Sequence, residues 1–280
     1  MYILVCPCII NPSLRAKGIT SDEDLRIFSA CLKRCESFGI ETVPLPCPET
    51  EYLGPGREPT NFTESLDNSE FSAILDEREK NVREIFCKRG LPLFILGVDS
   101  SPSCGVGMTY YSERKIPGRG AFLSRFSEVP AVDVKEFADY RIYLAAPLFS
   151  QAEQEFNLKV AEILRRSYFE VFIPQEHGDD GEERADDRMR IIFERNLSAL
   201  DHSDIVVAVI DGADADSGTA WEMGYAYAKG KRVISLRTDF RSFGDGELVN
   251  LMLEESSDVA LHPKDLPFII MPSLNLNDRP

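Results

Sequence analysis

The sequence predicts an α/β protein of two modules. The C-terminal one is a five-stranded parallel, flavodoxin-like (Rossmann-like) sheet and the N-terminal one a smaller parallel α/β domain. Three observations predict it. Short apolar runs alternate with longer segments of helical period along most of the chain. The run 205–210 is apolar without interruption, as in a strand covered on both faces. All seven cysteines lie at or before Cys104, so the two halves differ chemically.

Residues 2–6 read as a buried strand. A helix follows over 21–38: Ser21 caps it, Asp24 lies three residues on, and Leu25, Phe28, Leu32 and Cys35 share a face. A second strand at 41–45 ends at Pro46-Cys47-Pro48. Residues 52–68 are rich in glycine, proline and polar side chains and form a loop. Residues 71–88 are helical through Ile74, Leu75, Val82, Ile85 and Phe86, and Gly90 stops them. A third strand, 93–98, leads into Asp99-Ser100-Ser101-Pro102-Ser103-Cys104-Gly105. Residues 112–139 lack a clean period and read as a tail and a linker. The expected boundaries are a cysteine domain at 1–125, a linker at 126–140 and a second domain at 141–280.

The second module repeats the alternation. Strands are expected at 141–146, 169–173, 204–210 and 232–236, and a last one near 268–271. Helices are expected at 151–168 (Phe156, Val160, Ile163 and Leu164 inward), 188–200 (Ile192, Phe193, Leu197 and Leu200), 219–229 and 246–255. An acidic loop spans 175–187; its His177 reads as a solvated residue and His202 as a helix-end residue. Ligands in such sheets bind outside the carboxyl ends of the strands.

Apolar residues make up 43% and charged residues 28%, which suits a folded chain and excludes global disorder. Formal net charge is −16, shared by both halves, which argues against nucleic-acid binding through bulk electrostatics. No apolar run approaches the ~20 residues of a membrane span, and no signal peptide is expected ahead of the first strand. An odd number of cysteines without a secretion signal points to a reducing, cytoplasmic setting.

The densest chemistry lies in Asp211-Gly212-Ala213-Asp214-Ala215-Asp216-Ser217-Gly218-Thr219-Ala220-Trp221-Glu222, where a central strand gives way to a helix. Asp216 or Ser217 caps that helix, and small residues let a ligand approach the backbone. Asp216 and Glu222 both face a cleft if Glu222 lies in the first turns. A carboxylate so placed can attack a sugar anomeric carbon. A solvated loop with acids favouring the helix dipole is the plain alternative.

This stretch resembles the nucleoside 2-deoxyribosyltransferase family. The resemblance rests on Arg141-Ile142-Tyr143-Leu144-Ala145-Ala146-Pro147-Leu148-Phe149, Asp211-Gly212, the run from Asp216 to Ala226, and Asn250-Leu251-Met252. It implies Glu222 as the nucleophile that carries the deoxyribosyl group, Tyr143 orienting it, and Asp216 binding the base and moving a proton. Asp211, Ser217 and Gly218 would line the substrate site. Asn250 and Met252 would serve a neighbouring subunit, which implies a homo-oligomer. Where family members often carry a second base-facing aspartate, this chain has Asn196; an amide hydrogen-bonds a base edge but does not protonate it. Deoxynucleotide N-glycosidases of the same fold hydrolyse the bond instead, and Ser217 and Thr219 suit a 5′-phosphate. A non-catalytic nucleoside sensor is the third reading.

In the first module, Cys8, Cys47 and Cys104 follow three strands, 39 and 57 residues apart. Strand ends of one parallel sheet lie side by side, so the three thiols can converge on an iron–sulfur cluster or zinc. Buried apolar cysteines are the alternative, and the reading favoured for Cys31, Cys35 and Cys87. Cys8-Ile9-Ile10-Asn11 with Arg15, Cys47-Pro48-Glu49 leading to Gly56-Arg57-Glu58-Pro59, and Ser101-Pro102-Ser103-Cys104-Gly105 resemble the thiouracil-desulfurase family. That resemblance implies a [4Fe-4S] cluster on Cys8, Cys47 and Cys104, with Glu49 and Ser101 handling protons. Asn11 stands where that family has glycine. Zinc on Cys6, Cys8, Cys47 and Cys104 is the alternative.

Overall fold

A computed structural model describes residues 1–177, 185–241 and 249–273. The chain divides into two units, residues 1–138 together with the segment from Met271 onward, and residues 139–270.

The first unit contains β1 (Tyr2–Val5), α1 (Pro7–Ile10), α2 (Asp22–Ser37), β2 (Glu41–Pro44), α3 (Pro48–Leu53), α4 (Ser69–Arg89), β3 (Ile95–Gly97), β4 (Met108–Tyr110), β5 (Lys115–Pro117), β6 (Ala131–Asp133) and α5 (Val134–Ala138). Its main sheet has the order β2-β1-β3-β6, all parallel, with Leu4 opposite Ile95 and Ile95 opposite Ala131. Strands β4 and β5 form an antiparallel hairpin. Cys6 and Cys8 follow β1, Cys47 follows β2 and Cys104 follows β3, so all four lie beyond the carboxyl ends of three adjacent strands.

Residues 126–140, expected as a linker, instead supply β6 and α5. Phe126, Val129, Val132 and Phe137 are buried there. A three-residue strand after Pro130 leaves too few positions for alternation to be read.

Helix α2 starts with the expected capping box: Ser21 Oγ accepts from the Asp24 amide (3.1 Å), and Asp24 accepts from the Ser21 amide (2.9 Å). Its buried face differs from the expectation. Phe28, Cys31, Arg34 and Cys35 are buried, while Leu25 is exposed. Arg34 is fully enclosed. It donates to the Phe137 carbonyl (2.9 Å), approaches the Met271 sulfur (3.7 Å), and its guanidinium carbon lies 4.2 Å from the Phe137 ring centroid. Ser273, in the same unit, donates to Glu136 through its amide and its hydroxyl.

The second unit contains β7 (Arg141–Ala145), α6 (Gln151–Arg166), β8 (Glu170–Phe172), α7 (Ala185–His202), β9 (Ile205–Val209), α8 (Ser217–Ala228), β10 (Arg232–Leu236), α9 (Leu251–Glu254), β11 (Asp258–Ala260) and α10 (Leu266–Ile270). The sheet order is β11-β10-β9-β7-β8, all parallel, which is the flavodoxin order. The fifth strand is β11. Residues 268–271, expected to be that strand, fall largely in α10, whose Leu266, Pro267 and Ile270 are buried. A four-residue apolar run does not distinguish helix from strand. Parts of the acidic loop (178–184) and of the helix expected at 246–255 (246–248) lie outside the described residues. No helix among the described residues is long and apolar enough to cross a membrane.

Strand period fixes what each face carries. Tyr143 and Ala145 of β7 share a face with Val206 and Ala208 of β9, and they pack with Leu200 of α7 and Met223 and Ala226 of α8. Tyr143 therefore points to the α7/α8 side.

Replacing Arg34 by alanine strips the Phe137 carbonyl of a buried partner and opens a cavity. It should lower unfolding free energy by about 2–4 kcal/mol, read by urea denaturation with far-UV circular dichroism.

Candidate active site

The second unit brings together most of the carboxylate constellation. Asp216 is the N-cap of α8: its Oδ2 accepts from the Thr219 amide (3.0 Å) and lies 3.3 Å from the Thr219 hydroxyl. Thr219, Met223 and Ala226 form the buried stripe of α8, and Glu222 flanks it, half-buried. The Tyr143 hydroxyl donates to Glu222 Oε1 at 2.5 Å. Burial pushes the Glu222 carboxyl up to about 7; the nearby Asp216 charge adds to the rise, and the Tyr143 bond opposes it. Burial and the Glu222 charge push the tyrosine the same way, so Tyr143 keeps its proton and remains a donor.

An aromatic stack backs this pair. Phe172 lies parallel to Tyr143 at 5.5 Å, and His177 lies parallel to Phe172 at 4.4 Å. His177 is exposed, as expected, and stacks one ring face on Phe172.

A cavity of about 350 Å³ opens beside Glu222, lined by Phe193, Asn196, Leu197, Leu200, Gly218 and Trp221. Asn196 thus lines the cavity beside Glu222. Its Oδ1 is buried and has no hydrogen-bond partner. Phe193, expected to point inward, is 53% exposed, and its ring centroid lies 6.0 Å from that of Trp221. Sequence reasoning assigned no role to Trp221, although its neighbour is Glu222.

Asp211 does not face the cleft as an open ligand. Its Oδ1 accepts from the Thr238 and Asp239 amides (2.6 and 2.9 Å) and its Oδ2 from the Thr238 hydroxyl (2.5 Å), so it ties β9 to the segment after β10. Buried Arg237 supports the same junction through the Ile210, Gly212 and Arg241 carbonyls, a role the sequence did not signal. Ser217 is exposed in the first turn of α8. Asn250 caps α9 by accepting from the Met252 amide (3.0 Å), and Met252 is 76% exposed.

In the first unit, Cys8, Cys47 and Cys104 line one cavity of about 530 Å³ together with Glu49, Arg57 and Ser101. A polar clasp joins their loops. Arg57 donates to the Leu14 carbonyl (2.6 Å), to the Thr50 hydroxyl (3.0 Å) and to Glu49 Oε2 (2.9 Å). Glu49 Oε1 accepts from the hydroxyls of Ser101 (3.2 Å) and Ser103 (2.5 Å). The Thr50 hydroxyl contacts Cys47 Sγ at 3.0 Å, and Ser103 Oγ lies 3.6 Å from Cys104 Sγ. Arg57 appears in the sequence pattern, but its bridging role, like those of Thr50 and Ser103, depends on distances the sequence does not carry.

Burial and the neighbouring thiols push Cys8 and Cys47 up, while a hydrogen bond to Cys104 and burial raise Cys6. Gly105 is required here, since a Cβ would stand 2.5 Å from the Met108 carbonyl oxygen. Ser100, at the same end of the sheet, adopts a left-handed φ of 71°. Among the described residues, no group of three His, Cys, Asp or Glu side chains is arranged to hold a metal ion.

Glu222 prefers its protonated form in the fold. Its contribution to stability is present in full below about 4.5 and is lost as pH rises through about 7. The neutral isostere E222Q should therefore gain on the order of 1–3 kcal/mol over the parent at pH 8 and nothing at pH 4. Urea unfolding followed by fluorescence of Trp221, the single tryptophan, reads this difference.

Residues 142–264 match the profile of the family described as nucleoside 2-deoxyribosyltransferase. An uncharacterized protein of Ureaplasma parvum is 31% identical over 115 residues, covering 36% of this chain and 72% of that protein. Among solved structures, a 2-deoxyribosyltransferase of Bacillus psychrosaccharolyticus is 29% identical, covering 45% of this chain and 90% of its own, with a TM-score of 0.41. A conserved protein of Enterococcus faecalis is 30% identical, covering 47% and 96%, with a TM-score of 0.41.

Proposed function

Because residues 142–264 of this chain belong to the nucleoside 2-deoxyribosyltransferase family, we propose that its second unit moves the 2-deoxyribosyl group of a nucleoside from one base to another. The observation that carries this reading is the Glu222 carboxylate, half-buried beside a cavity and held by Tyr143 at 2.5 Å. Tyr143 occupies Oε1 and leaves Oε2 for the anomeric carbon. As Oε2 bonds to C1′, the C1′–N bond breaks and its electron pair leaves with the base. Thr219 takes only Oδ2 of Asp216, which leaves Oδ1 to contact the base and to pass a proton to or from its ring nitrogen. The ring nitrogen of a second base then attacks C1′, the ester C–O bond breaks, and the carboxylate is restored. Exposed Asn250 and Met252 serve the site of a neighbouring copy, so the chain assembles as a homo-oligomer. No cofactor enters this chemistry.

Incubation with deoxyinosine and adenine should yield deoxyadenosine. E222Q should lose about 10³-fold or more of the rate. Free deoxyribose without a new nucleoside would shift the reading to hydrolysis. Unchanged exchange by E222Q would refute the mechanism.

The nucleophile must be ionised, so kcat/KM should fall as pH drops through about 7. Tyr143→Phe removes the bond that holds the Glu222 pKa down, so the acid limb should move to higher pH. A limb that stays in place would show that Tyr143 does not act on Glu222.

For the first unit the proposal is a [4Fe-4S] cluster on Cys8, Cys47 and Cys104. Their shared cavity supports it. Cys8, Cys47 and Cys104 would hold such a cluster, which would supply an iron able to polarise a sulfur-bearing base. Glu49, fixed by Arg57, Ser101 and Ser103, would receive or return a proton there. Anaerobically purified protein should be coloured and contain iron and sulfide, and C47S should lose both. A colourless, iron-free sample that resists reconstitution would overturn the assignment.

A further inference from the structure

Of the four cysteines beyond the carboxyl ends of the first sheet, Cys6 is the one that the cluster reading leaves unused. We propose that Cys104 and Cys6 form a hydroperoxide-sensitive pair, in which Cys104 takes the oxidation and Cys6 resolves it as a disulfide. The inference goes beyond the cluster reading and stands without it.

The backbone sets the pair. The Cys6 amide donates to the Leu96 carbonyl of β3 (2.9 Å), and the Cys104 carbonyl accepts from the Val98 amide just past the same strand (3.1 Å). Both residues therefore close on the end of β3, and their thiols share a hydrogen bond. Cys8 and Cys47 act on Cys104 and on each other through charge, at longer range. Cys47 Sγ instead touches the Thr50 hydroxyl (3.0 Å). Access is unequal. Cys104 lines the cavity of about 530 Å³, whereas Cys6 is fully enclosed and does not. A molecule as small as hydrogen peroxide thus meets Cys104 first, with Cys6 behind it. Cys8 and Cys47 line the same cavity, but neither has a second thiol in hydrogen-bond contact to resolve its oxidation. The Cys104 loop is fixed. Ser101 Oγ accepts from the Cys104 amide (3.0 Å), the Ser103 hydroxyl donates toward Cys104 Sγ (3.6 Å), and a Cβ at Gly120 would stand 2.8 Å from the Cys104 nitrogen.

The chemistry balances with the peroxide as oxidant. The Cys104 sulfur attacks one peroxide oxygen, the O–O bond breaks, and the thiol proton leaves with the other oxygen as water. Cys104 is then a sulfenic acid. The Cys6 sulfur attacks the Cys104 sulfur, the S–S bond forms, the S–O bond breaks, and a second water leaves with the Cys6 proton. Two thiols are oxidised by two electrons and one peroxide is reduced. The disulfide withdraws Cys104 from anything bound in the cavity and spares it the irreversible sulfinic step.

The test uses the full chain, purified in air, reduced, freed of reductant and treated with equimolar hydrogen peroxide. Free thiols are alkylated, and tandem mass spectrometry of the peptides assigns the bonds, fragmentation between Cys6 and Cys8 separating those two. A Cys6–Cys104 bond that dithiothreitol reverses is expected. In C6S the sulfenic acid should persist, with roughly tenfold more dimedone label on Cys104 than in the parent. Pairing of Cys104 with Cys8 or Cys47, four free thiols after peroxide, or no gain of label in C6S would overturn the inference. Iron and sulfide of the anaerobic protein are scored separately. The Cys6–Cys104 bond in a chain that never takes up iron refutes the cluster alone. A cluster-binding chain whose iron-free form makes no such bond refutes the pair alone.

Discussion

The hydrogen bond from the Tyr143 hydroxyl to Glu222 Oε1 joins the sheet to α8 and sets the chemistry of the second unit. Tyr143 is fully enclosed because β7 turns that face toward Met223, Ala226 and Leu200. Its hydroxyl is the polar end of an otherwise apolar cluster, and Glu222 is the acceptor that satisfies it. The carboxylate accepts burial that raises its pKa, and the tyrosine bond limits the rise. A group so balanced ionises near neutrality and is poorly solvated once ionised, which suits a nucleophile. Asp216 combines two duties on the same loop, since its cap fixes the start of α8 and its charge acts on Glu222.

The first unit solves a different problem, holding three thiols that are distant in sequence around one cavity. Parallel order places their loops side by side, and the Arg57–Glu49 pair fastens them. Arg57 reaches the loop after Cys8 through Leu14 and the loop after Cys47 through Thr50. Glu49 reaches the Cys104 loop through Ser101 and Ser103. Both side chains are 9% exposed, and each charge is opposed by the other. Removing either would leave a buried charge unpaired, a larger loss than the pair itself contributes.

Legibility from sequence followed the length and regularity of each element. The second sheet was legible because β7, β9 and β10 are five-residue strands between capped helices. The core positions of α6 were less so: Asn157 is buried there, donating to the Pro147 carbonyl and to Gln175, while Phe156 is not. β6 and β11 escaped notice because three residues carry too little alternation. Glu222, Tyr143 and Asp216 stand in a sequence pattern continuous with the fold, which is why their proximity was legible. The same pattern does not reveal that Thr238 and Asp239 donate to the oxygens of Asp211. Arg34, Arg57 and Arg237 were invisible as buried residues, because a charged side chain is expected at the surface until its partners are known.

The central claim is a covalent bond between C1′ and Glu222, and acid quenching of the enzyme mixed with a deoxynucleoside in the absence of an acceptor base tests it most directly. Peptide mass spectrometry should find a deoxyribosyl adduct on the peptide containing Glu222, formed with release of free base and discharged when adenine is added. Release and exchange of bases at full rate with Glu222 unmodified throughout would contradict the account.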